Sequence, residues 1–325
     1  MEEVMSKLED YQEIYSKLKK RLRWKVSDSR SLMMVASLYV TNKRPFHIDR
    51  FMEISDYIKN NVGAFSTLKH EIRFTFAAML DTRFDDYPSR FHEFLSLYDS
   101  LIGAGFSRGS FSYIAAMTML FDGDRKQDFA AYGMEVYKKM RDQHFFLTGH
   151  SDYPFALLLS QREGNQDALI EKIEGFYHQL NSAGFRKGND LQSMSHILSL
   201  HSEWSQDELA QRCTHLYDTF KQVGIKPKAM FYPQIALLSF VDEDLALVNQ
   251  VKDVWEELNS SKAFKWHKDI NLMMAVNMLI SDKIENNAVM QVSLSTAIET
   301  LIQAQQATMI ATVAAVSVTT GGGDS

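Results

Sequence analysis

The sequence predicts an all-α protein: an α-solenoid of about seven helical hairpins with a period near 40 residues and a C-terminal capping helix. Three columns of residues predict it. An aromatic residue recurs as Tyr15, Tyr57, Tyr98, Tyr137, Tyr177, Tyr217 and Trp255, in steps of 42, 41, 39, 40, 40 and 38. Eight or nine residues later stand Trp24, Phe65, Phe106, Phe146, Phe185, Ile225 and Phe264. A mostly small position follows as Ala36, Ala77, Ala116, Ala156, His196, Ala236 and Ala275. Independent columns that keep one period are the mark of a repeat architecture.

Each copy reads as two helices. The first is amphipathic, as in FMEISDYIKNNV and FHEFLSLYDSLIGAG, with apolar residues three and four apart. Gly105, Gly184 and Gly224 fall just past its end, where a left-handed residue closes a helix. The second helix is more apolar, as in IRFTFAAML and YIAAMTMLF. Pro154 and Pro233 stand near its start, where a missing N–H costs nothing. The small residue in it lets helix backbones approach closely. On this reading residues 1–285 are the hairpin array, 286–318 the capping helix, and 319–325 (TGGGDS with the preceding Thr) a disordered tail.

A 325-residue chain exceeds what one compact core comfortably holds, but a solenoid grows along one axis. Only 5 Pro and 15 Gly interrupt the chain, which favours long helices. The formal net charge of −6 lends no overall attraction to a polyanion. One cysteine, Cys213, excludes an internal disulfide and a multi-cysteine zinc site. The opening MEEVMSKLEDYQ has no signal-peptide pattern, and the run 307–318 is shorter than a membrane span. A cytoplasmic protein without membrane association is expected.

The order Tyr, Gly-Phe/Ile, Ala-centred helix, best seen in LYDTFKQVGIKPKAMFYPQI, resembles tetratricopeptide and pentatricopeptide hairpins, although their period is shorter. As a whole the chain resembles an uncharacterised bacterial domain-of-unknown-function family, family 4003, seen mainly in Bacillus-like organisms. The stretches SDSRSLMMVASLYV, TLKHEIRFTFAAML and LTGHSDYPFALLLS carry that resemblance. It implies a bacterial cytosolic protein and no particular activity.

Phosphate-loop, nucleophile-elbow and HExxH patterns do not occur in the sequence. The candidate site is a polar column at the starts of the second helices. Arg73, Ser112, Asp152, Gln192, Tyr232 and Asn271 lie four residues before the small position, with Glu71, His150 and Asp190 two residues earlier and His70 beside them. Two readings follow: first-turn caps, or a groove that hydrogen-bonds an extended peptide or small ligand. The expected function is a protein- or peptide-binding scaffold or adaptor using a groove lined by the second helices. An enzyme with its site around His150 and Asp152 is the alternative, and single-stranded RNA binding ranks below it. No metal or cofactor is expected, and the oligomeric state is left open.

Overall fold

The computed structural model describes residues 2–121, 127–162, 164–201, 204–241, 245–285, 300–302, 304–305 and 307–311. Among these residues every regular element is helical. They form two compact units, one from residues 2–124 with residues 300 onward, the other from 125–299.

The first unit holds α1 (Glu2–Leu22), α2 (Ser29–Thr41), α3 (Ile48–Asn60), α4 (Arg73–Arg83), α5 (Tyr87–Gly103) and α6 (Ser110–Phe121). They pair as hairpins α1–α2, α3–α4 and α5–α6, with α2 against α4 and α3 against α5. Of the expected capping helix, residues 300–302, 304–305 and 307–311 are helical and group with this unit; the rest lies outside the described residues, as does the tail. Leu301, Ile302, Ala307 and Ile310 are buried.

The second unit holds α7 (Phe129–Gln143), α8 (Tyr153–Ser160), α9 (Gln166–Ser182), α10 (Asn189–Ser199), α11 (Gln206–Gln222), α12 (Tyr232–Ser239), α13 (Leu245–Ser260) and α14 (Lys268–Glu285). Four hairpins stand side by side in two rows. The first helices touch as α7–α9–α11–α13 and the second as α8–α10–α12–α14.

The two rows differ in burial. Each first helix buries one stripe, such as Ile170, Ile173, Phe176, Tyr177 and Leu180 in α9. The second helices are buried all round: every residue of 31–41, 73–82 and 153–160 is interior. A helix without a polar face belongs to a core. Pro154 and Pro233 occupy the first turns of α8 and α12, as their missing donors allow.

The second aromatic column splits. Phe106, Phe185, Ile225 and Phe264 are buried, but Trp24 is 85%, Phe65 103% and Phe146 95% exposed. Glycine explains three of the buried members. Gly105, Gly184 and Gly224 have φ of 101°, 102° and 89°. The following N–H groups reach back to a carbonyl five residues earlier: Phe106 to Leu101, Phe185 to Leu180 and Ile225 to Phe220. This is the Schellman closure, whose last residue packs on the helix it ends. Three hairpins without that glycine leave Trp24, Phe65 and Phe146 outside, with Leu68 and Thr148 buried further along two of those segments, whereas Phe264 is buried without one.

A Cβ at Gly184 would meet nothing within 4 Å, so only its φ resists substitution. Gly184→Ala is expected to cost about 1–2 kcal/mol. Gly103, within α5 and with equally open space, is expected to gain about 0.5–1 kcal/mol as Gly103→Ala. Urea denaturation followed by circular dichroism reads both.

Candidate functional site

The polar column lies where each connecting segment turns into a second helix. Arg73 is buried. Its Nε donates to Ser55 Oγ at 3.1 Å, and its Nη1 donates to the carbonyls of Lys69 and His70 at 3.0 and 2.9 Å. Burial lowers its pKa from the usual arginine value. Buried Asn271 donates through Nδ2 to Asn259 Oδ1 at 2.8 Å and to the Phe264 carbonyl at 3.0 Å. Both side chains thus bind the connecting segment and first helix of their own hairpin.

Other members of the column reach the hairpin before. Gln192 Nε2 donates to Thr148 Oγ1 at 2.8 Å. The Arg186 N–H donates to Tyr232 Oη at 3.1 Å. Glu71 accepts from the N–H and hydroxyl of Ser27 at 2.8 and 3.0 Å. Ser66 and Tyr113 share a hydroxyl contact of 3.1 Å, and Lys228 meets Asp269 at 2.7 Å. Each of these rungs ties one connecting segment to the start of the next second helix, across 41 to 47 residues of sequence.

Asp152 is buried and accepts from the Gly149 N–H at 2.9 Å. Burial raises its carboxyl from 3.8 to about 6, and the N–H bond only partly opposes this. Asp190 is half-buried and raised by the same cause. His150 is exposed and stacks on Tyr153 at 5.1 Å, so it and Asp152 are engaged separately. His70 is exposed and Glu71 half-buried. Arg73 in the first unit, and Asp152, Gln192, Tyr232 and Asn271 in the second, are therefore interior to their packed hairpins. Desolvation forces such groups to find partners within the chain.

His196 stands in the small-residue column, fully buried beside Phe155 with ring centroids 5.4 Å apart. Among the described residues neither ring nitrogen has a hydrogen-bond partner. Burial lowers its pKa from 6.5 to about 3. Cys213 is also buried. No group of three His, Cys, Asp or Glu side chains gathers as a metal site would require, among the described residues. A cleft of about 90 Å³ lies between Tyr132, Ser160, Asn165 and Leu169.

Sequence reasoning missed the cations on the first helices. Arg50 donates to the carbonyls of Phe84 and Asp85 at 3.3 and 3.2 Å, Lys172 to those of Ser199 and His201 at 3.3 and 2.6 Å, and Arg212 to that of Ser239 at 2.7 Å. Each neutralises carbonyls left unpaired at the end of its hairpin's second helix. The forty-residue step from Lys172 to Arg212 was the available signal. Arg50 also grips buried Asp81 at 2.6 Å, which accepts from Tyr39 Oη at 2.8 Å. This ties the first two hairpins together at their other end.

Among the described residues the fold is all-helical and built of hairpins, and Glu71, Gln192 and Tyr232 of the polar column join neighbouring ones. Residues 14–307 match the family described as "Protein of unknown function (DUF4003)". The chain belongs to that family. It is 39% identical over 312 residues to the "Uncharacterized protein YeaA" of Bacillus subtilis (strain 168), covering 94% of each chain. No solved structure matches.

His196 and Asp152 give stability opposite pH dependences. Below pH 6.5 the unfolded chain protonates His196 while the folded chain does not until about pH 3, so stability falls by about 1.4 kcal/mol per pH unit. Asp152 binds its proton in the folded chain from about pH 6 and in the unfolded chain only near 3.8, so it adds stability as pH falls through that window. Hence His196→Leu should gain stability relative to wild type as pH drops from 7 to 4.5, and Asp152→Asn should lose it. Urea midpoints at the two pH values measure this; parallel slopes for all three chains would contradict it.

Proposed function

We propose that the chain is an α-solenoid of about seven hairpins and acts as a scaffold or adaptor for a protein or peptide partner. The observation that carries this reading is the rung. Each rung holds a hairpin in a set register on its neighbour, which is how repeat proteins build extended binding surfaces from short units. Glu71, Gln192 and Tyr232 are engaged in that task, and Arg73, Asp152 and Asn271 are bonded within their own hairpins, which favours a partner on outward surfaces rather than on a face of the second helices. Large exposed apolar side chains mark such surfaces, and here the exposed rings of Trp24, Phe65 and Phe146 stand at hairpin tips.

The test is affinity purification of the tagged chain from its host, with and without nuclease, beside a variant carrying Glu71→Ala and Gln192→Ala. A stoichiometric polypeptide that survives nuclease, and that the rung variant loses while keeping its helical circular dichroism, is expected. Equal retention by both chains counts against a register-dependent scaffold. Turnover of a small molecule that depends on His150 or Asp152 would replace the scaffold with an enzyme.

A further inference from the structure

The second unit carries an edge that the rungs do not use up. Its hairpin row places four connecting segments, residues 144–152, 183–188, 223–231 and 261–267, at successive positions along one side. Cross-hairpin bonds at that side confirm their adjacency: Thr148 to Gln192, Arg186 to Tyr232 and Lys228 to Asp269. These segments hold Arg186, Lys187, Lys226, Lys262 and Lys265, with Lys228 engaged in the Asp269 rung, against one acid, the buried Asp152. All six cations are exposed, in a chain whose net charge is −6. The sequences joining α8 to α9, α10 to α11 and α12 to α13 have the opposite balance: Glu163, Glu203, Asp242, Glu243 and Asp244 against Arg162. Charge is thus segregated between the two kinds of connection.

Large rings are exposed on the two outer segments of this side: Phe146 at 95% with neighbouring Phe145 at 59% on the first, which has no Lys or Arg, and Trp266 at 81% on the last, between Lys265 and His267. Arg141 lies over the Phe145 ring at 4.7 Å, and Lys265 over the Trp266 ring at 5.0 Å. Phe145 and Phe146 meet edge to face at 88°. Rings that stack nucleic-acid bases offer an open face along a groove. These rings protrude from loop tips, and two of them already carry a cation on one face. Trp and Phe beside Lys and Arg suit a lipid interface, where the ring enters the headgroup layer and the cation stays at the phosphates.

We infer that this edge of the second unit docks on an anionic membrane surface, its rings seated among the headgroups and its lysines and arginines on the lipid phosphates. The attachment is peripheral: among the described residues no helix is long and apolar enough to cross a membrane. The inference is independent of the scaffold reading, because the edge needs no protein partner to bind lipid.

The test is co-sedimentation of the full chain, without any partner, with phosphatidylcholine vesicles that contain or lack phosphatidylglycerol. Sedimentation with the phosphatidylglycerol vesicles only, weakening with added salt, is expected. Combined Phe145→Ser, Phe146→Ser and Trp266→Ser should lower it by about tenfold or more, as should combined Lys226→Glu and Lys265→Glu, with circular dichroism unchanged. Equal binding to both kinds of vesicle, indifference to the substitutions, or a chain that stays in solution overturns the inference. So does binding to polyuridylate, in place of vesicles, that the same substitutions abolish. None of these failures touches the nuclease-resistant partner that tests the scaffold.

Discussion

A hydrogen bond from one hairpin's connecting segment to the start of the next hairpin's second helix is the constraint on which the stacking depends. Apolar faces alone allow neighbouring hairpins to slide, since Leu and Met side chains pack in many ways. A buried amide or hydroxyl does not allow it. Left unpaired, Gln192 or Tyr232 would carry a desolvation cost of about 1–3 kcal/mol. Each finds its partner, Thr148 Oγ1 or the Arg186 N–H, only when the two hairpins stand in one register. The arginine and lysine bonds at the opposite ends of three hairpins, from Arg50, Lys172 and Arg212, then satisfy carbonyls at the ends of α4, α10 and α12.

This division of labour governs where function can lie. The column that looked most like a binding site is spent on assembly, with Arg73 and Asn271 folded onto their own hairpins and Gln192, Tyr232 and Glu71 onto the preceding ones. Recognition moves to the outside. In the second unit the tips of the hairpins gather basic side chains and exposed rings, and the reverse connections gather acids in the sequence. A unit so polarised orients itself in a field before it makes any contact.

Much of the fold was legible because its signals are local. Gly105, Gly184 and Gly224 mark helix ends through a backbone angle that only glycine adopts cheaply, and Pro154 and Pro233 mark helix starts through a missing donor. The fate of the aromatic column was not legible from its period. Phe185 turns inward because Gly184 directs the chain back, whereas Phe146, with His144 and Phe145 ahead of it, points to water. Spacing alone treated them alike. The polar column was found, but its role depends on what lies 41 to 47 residues away, beyond the reach of any helical pattern. His196 was recognised as a substitute for Ala, yet the absence of a partner for either nitrogen is a property of packing. The grouping of residues 300–302, 304–305 and 307–311 with the first three hairpins left no sequence mark at all.

The central claim is that the rungs couple neighbouring hairpins. A double-mutant cycle on Thr148→Val and Gln192→Leu, read by urea denaturation, tests it most directly. The two residues are 44 positions apart in sequence and belong to different hairpins. A coupling of about 0.5–3 kcal/mol is predicted. Additive effects, with no coupling, would mean that apolar packing alone sets the register and that the rung is incidental.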